Sequence, residues 1–136
     1  MKYILGLFLI LITTQLSFSQ NENSREVLIN DGDTSYYMKK YVMCLLTRGH
    51  NRYQSKEKAK KIQESHLNHI DSLADLGLIV LSGPFADNDD LRAILVFDVD
   101  DVKDAESLEK QDPAVKSGRL KMEFHPWWAA KGTVLK

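Results

Sequence analysis

Leu78-Ile79-Val80-Leu81-Ser82-Gly83-Pro84 and Leu91-Arg92-Ala93-Ile94-Leu95-Val96-Phe97-Asp98-Val99 read as two consecutive strands. The first is a short apolar run closed by a Ser-Gly-Pro breaker. Phe85-Ala86-Asp87-Asn88-Asp89-Asp90 between them carries turn residues, so a hairpin with a long loop is expected. The flanks of this hairpin decide the topology. Upstream, Ser55 stands as N-cap of a helix running through Leu76, with Glu57 in its first turn and Gly77 at the C′ position. Ala59, Ile62, Ile70 and Leu73 form its apolar stripe. Ahead of that helix, Lys40 to Thr47 is almost continuously apolar, as a strand covered on both faces would be. Downstream, Asp98, Asp100, Asp101 and Asp104 gather where negative charge suits the start of a helix. Val102, Ala105 and Leu108 give that helix a narrow apolar face, and Pro113 stops it. Leu120, Met122 and Phe124 then alternate with Lys121, Glu123 and His125, the period of a final strand.

The order is β-α-β-β-α-β. It implies an α+β, ferredoxin-like domain with an antiparallel sheet and both helices on one face. Three strands are apolar on both sides, and two helices cover only one face. A homodimer packed through the open sheet face is therefore expected.

The 136 residues do not all belong to that domain. Lys2, the apolar run Ile4 to Ile12 and the small residues Ser17 and Ser19 read as a signal peptide over 1–19, cut before Gln20. The run is shorter than the ~20 apolar residues a spanning helix needs. The chain is thus expected to be exported, periplasmic or secreted, with no membrane attachment after cleavage. Residues 20–35 are rich in Asn, Asp and Ser and read as a polar linker, with room for one short extended piece at Val27-Leu28-Ile29, leaving 36–136 as the domain. The net charge is −1, and −2 once Lys2 departs, which excludes a polycation built for nucleic acid. Cys44 is the only cysteine and lies within an apolar strand, where an inert buried thiol is expected.

Two polar residues break the pattern. His66 falls on the apolar stripe, four residues after Ile62 and four before Ile70. A buried imidazole needs a hydrogen-bond partner. A backbone carbonyl would satisfy it, and so would a functional carboxylate. Asp112 precedes Pro113, a pairing that caps a short helical turn over 112–118. Taken alone, Asp112 reads as that cap. Phe85, Trp127 and Trp128 are candidates for apolar walls around a planar ligand, or for core and dimer packing. Ser82 is a candidate donor to a substrate oxygen, or a turn hydroxyl. No P-loop, GxGxxG or Ser/His/Asp triad is present.

His66-Leu67, Gly77, Ser82-Gly83-Pro84, Asp112-Pro113 with Gly118, and Pro126-Trp127 form an ordered set that resembles the YCII-related (YciI-like) domain over about residues 38–130. That resemblance implies a dimeric α/β-barrel of ferredoxin-like subunits and a His–Asp pair, which maps to His66 and Asp112. It also implies lyase or isomerase chemistry on a small, aromatic-type molecule. Ser82, Gly83, Pro84 and Trp127 are the expected substrate-binding residues. An imidazole held by a carboxylate suits proton transfer near neutral pH, with the carboxylate fixing the tautomer. No cofactor and no metal are expected. The competing expectations are a metal-dependent variant using His66, His69 and Asp112, and a non-catalytic small-ligand-binding module.

Overall fold

A computed structural model of the chain describes residues 24–136. The expected leader at 1–19 lies outside the described residues. The elements in chain order are β1 (Glu26–Asp31), β2 (Thr34–Arg48), α1 (Lys56–Asp75), β3 (Ile79–Pro84), β4 (Leu91–Phe97), α2 (Val102–Glu109), α3 (Pro113–Lys116) and β5 (Leu120–Ala130). β2 is the central strand: β4 and β5 both pair with it antiparallel along Val42–Thr47, one on each edge. β3 pairs antiparallel with β4, so the core reads β5-β2-β4-β3. This is the α+β, ferredoxin-like arrangement.

α1 begins and ends where its capping chemistry requires. The Ser55 hydroxyl accepts from the Lys58 amide, and Gly77 adopts φ +72°. Gly77 and Leu78 donate their amides to Ala74 and Leu73, which closes the last turn as a Schellman cap. The buried face of α1 is His66, Ile70 and Leu73. It packs on Val42, Cys44 and Leu46 of β2 and Leu95 and Phe97 of β4. Met122 and Phe124 of β5 pack against the same core, while Lys121, Glu123 and His125 are exposed, as the alternation predicts. Cys44 is fully buried and free, and burial pushes its thiol far up, so it is inert.

The expected linker over 20–35 is corrected from Glu26 onward. Val27-Leu28-Ile29 forms β1, and β2 starts at Thr34 rather than near Lys40. The polar cluster around Gly32 is a two-residue hairpin loop, with Gly32 at φ +59° in its first position. Turn composition and linker composition are alike, so the sequence pattern alone did not separate them. This hairpin lies along the β4 edge of β2, and ion pairs peg it to the body. Arg25 and Lys39 both bind Asp98, and Lys131 binds Glu26 at 2.7 Å. Among the described residues, no helix is long and apolar enough to cross a membrane.

One close approach positions the site. The Gly49 amide donates to the Arg119 carbonyl at 2.8 Å, and Asn51 donates to Gly118 at 3.0 Å. A Cβ at Gly49 would collide with the Gly118 carbonyl oxygen and lie 2.6 Å from the Arg119 carbonyl carbon. The seam therefore joins the end of β2 to the start of β5. We expect Gly49→Ala to destabilise the protein by about 1–3 kcal/mol, the usual cost of forced overpacking. Urea unfolding measures this, and an unchanged midpoint would show that the seam yields freely.

Candidate active site

His66 is brought to the site by the middle of α1 and Asp112 by the loop between α2 and α3. The His66 Nδ1 lies 2.5 Å from the Asp112 Oδ2. The His66 side chain is 7% exposed and the Asp112 side chain 0%, so water does not share this bond. The other oxygen, Oδ1, accepts from the Ala114 amide at 2.7 Å. Asp112 is thus both the N-cap of α3 and the partner of His66. The cap and the His66 bond coexist because a carboxylate has an oxygen for each. Burial opposes the charge on Asp112, but the bonds from His66 and Ala114 outweigh it and hold the carboxyl below its usual range.

A second buried carboxyl stands behind the pair. Glu109, the last residue of α2, is 0% exposed. Burial pushes it up to about 8, and the nearby Asp112 carboxylate reinforces the shift. Among the described residues no donor reaches either Glu109 oxygen. Burial and the neighbouring Asp112 charge therefore favour the neutral, protonated form of Glu109. The sequence signal for it was available: Glu109 follows Ala105 by four and Val102 by seven, on the apolar face of α2. His69 is not the exposed residue its position suggests. Its side chain is 17% exposed, with Nε2 3.8 Å from Glu109, and burial lowers its pKa. His66 and His69 thus approach different carboxyls, and among the described residues no three His, Cys, Asp or Glu side chains converge as a metal site.

His66 lines a cavity of about 350 Å³. Ser82, Gly83 and Pro84 line the same cavity, as do Leu67, Ala93, Ala114 and Leu120. Arg52, Arg92 and Arg119 also reach it. None of the three arginines is marked by local sequence; the tertiary fold alone assembles them. Trp127 does not join the cavity, which corrects that expectation. It lies seven residues along β5 from Leu120, roughly 24 Å at strand rise. Its register also puts it on the opposite sheet face, opposite Tyr41, where the two rings lie 6.4 Å apart. Trp128 borders a separate hollow with Val27, Ile29 and Met38 of the N-terminal hairpin. A further hollow of about 260 Å³ lies beside Lys40, Tyr41 and Asp101.

The family model described as the YCII-related domain matches residues 40–127, well over half of the chain. No curated protein matches it. Among solved structures it is similar to 5-chloro-2-hydroxyhydroquinone dehydrochlorinase from Burkholderia phenoliruptrix AC1100, in complex with 2,5-dihydroxybenzoquinone. The identity is 17% and the TM-score 0.48, over 63% of this chain and 92% of that one.

Glu109 sets a pH dependence whose sign follows from its raised pKa. The folded state holds a proton on Glu109 that the unfolded state releases above about 4.5. Stability from this group is complete below that pH and is lost as pH rises toward about 8. The limiting slope is about 1.4 kcal/mol per pH unit. Glu109→Gln should flatten this decline when thermal unfolding is followed across that range. Parallel curves for the two proteins would mean that Glu109 is already ionised at neutral pH.

Proposed function

The chain belongs to the YCII-related domain family, and on that footing we propose that it is a small enzyme that transfers a proton at a small organic molecule. His66 is the general acid–base group and Asp112 its positioning carboxylate. The observation that supports this reading is the 2.5 Å His66–Asp112 bond, buried at the wall of a cavity that also collects Ser82-Gly83-Pro84. Nδ1 is taken by Asp112, which leaves Nε2 as the working nitrogen. The carboxylate fixes the tautomer and balances the charge the ring gains when Nε2 accepts a proton.

The chemistry is of lyase or isomerase type. Nε2 removes a proton from an acidic carbon, and the electron pair left behind either expels a leaving group or relocates a double bond. In the second case the same imidazolium returns the proton at another carbon. Leu67, Ala93 and Leu120 provide apolar wall for the carbon skeleton, and Ser82 offers a hydroxyl to a developing oxyanion.

The test is deuterium exchange from solvent into a panel of small hydroxylated aromatic and carbonyl compounds, read by mass spectrometry. The wild type should catalyse exchange or turnover of at least one class. His66→Asn keeps a donor for Asp112 but cannot carry a proton, and should lose about 10²–10⁴-fold in rate. Equal rates in the two proteins would remove His66 from the mechanism. Ligand binding without exchange would favour the binding-module reading.

The functional unit we propose is a homodimer. Tyr41, Met43 and Leu45 of β2 and Ile94 of β4 lie on the sheet face away from the helices and are only partly covered. A second copy would take this apolar face out of water. Sedimentation should give twice the chain mass at micromolar concentration; a monomer there would sink the dimer.

A further inference from the structure

Three arginines from three separate elements meet at the His66 cavity. Arg52 comes from the loop after β2, Arg92 from β4, and Arg119 from the residue before β5. Their internal partners are all neutral. Arg52 donates to the Arg119 carbonyl at 3.2 Å, Arg92 to the Asp89 carbonyl at 3.2 Å, and Arg119 to the Gln54 amide oxygen at 2.8 Å. Among the described residues none of the three forms an ion pair. Arg48 nearby does pair, with exposed Asp90 at 3.7 Å, so a carboxylate is spent beside the cluster but not within it. Asp112 forms no ion pair with the arginines, its oxygens bonding His66 and Ala114.

The cavity lining thus carries three positive charges and no carboxylate. Burial, and then repulsion from Arg119, Arg48 and Arg92, lowers the Arg52 pKa, as expected of crowded cations awaiting an anion. The remaining wall is apolar: Leu67, Pro84, Ala93 and Leu120. A guanidinium presents a planar fork of donors that matches a carboxylate, and the apolar wall suits carbon rather than a bare inorganic ion.

We propose that this cavity binds a small organic anion, its carboxylate on Arg52, Arg92 and Arg119 and its carbon skeleton along the apolar wall toward His66. The inference deepens the proton-transfer reading by naming its substrate class, and it rests on that reading for the role of the bound molecule. Positive charge at the cavity also serves that chemistry, since removing a proton from carbon builds negative charge on the substrate.

Calorimetric titration of the wild-type protein with benzoate, salicylate and succinate tests the proposal, with benzamide and inorganic phosphate as comparisons. At least one carboxylate should bind, more weakly as salt rises. Benzamide, which has benzoate's shape without its charge, should bind about tenfold or more weakly than benzoate if benzoate is the ligand. Arg52→Gln and Arg92→Gln should each weaken carboxylate binding by about tenfold or more. Should one variant fail to fold, the other carries the test, because the two side chains sit on different elements. Three outcomes overturn the proposal: no binding of any of the three acids, affinity unchanged in both arginine variants, or phosphate binding where no carboxylate binds. The two readings fail separately. Carboxylate binding with no proton exchange defeats the enzyme but keeps the anion site. Exchange by the wild type with binding indifferent to the arginines does the reverse.

Discussion

Taking the Asp112 carboxylate wholly out of water costs several kcal/mol unless every lone pair finds a donor. The architecture around it supplies them. His66 reaches it from the middle of α1, and Ala114 donates its backbone amide from α3, while the buried Glu109 at the end of α2 is pushed toward its neutral form beside it. Two helices of very different length thus bond one ion, and a third ends beside it. Moving any of them by an ångström would strand a charge, so the placement of α1, α2 and α3 is constrained by polar chemistry as well as by apolar packing.

From this ion outward, the charge changes sign in layers. Glu109 lies deepest and is neutral at pH 7, Asp112 is ionised, His66 sits at the cavity wall, and the arginines hold the cavity itself. Glu109 and Asp112 are close enough that both cannot be charged cheaply. Burial selects Glu109 to keep the proton, and the donors from His66 and Ala114 select Asp112 to lose it. The environments of the two carboxyls, not their types, assign their roles.

The order of elements was legible because each is marked locally. Ser55 and Gly77 bracket α1, Pro113 ends the region of α2, and Leu120, Met122 and Phe124 alternate with polar neighbours. His66 was legible for the converse reason: a titratable residue on an apolar stripe is out of place. Glu109 obeys the same logic on α2, yet on an eight-residue helix the stripe is short enough for a charged residue to pass as its exposed edge. The arginines have no such signature, because charged residues in loops and at strand ends are ordinary. Only the Gly49–Gly118 seam, a long-range contact, brings Arg52 and Arg119 together. The N-terminal hairpin escaped because Asn, Asp and Gly serve turns and tethers equally well. Trp127 carries no local mark of the roughly 24 Å of β5 that separates it from Leu120.

α3 spans only Pro113–Lys116, a single turn held at its start by the very carboxylate that holds His66. A helix this short has little cooperativity of its own. Each time it frays, Asp112 loses one of its donors, and the imidazole partner is altered with it. Fraying of that turn and loss of the His66–Asp112 geometry are therefore one event, and the pair lasts only as long as the turn stays folded.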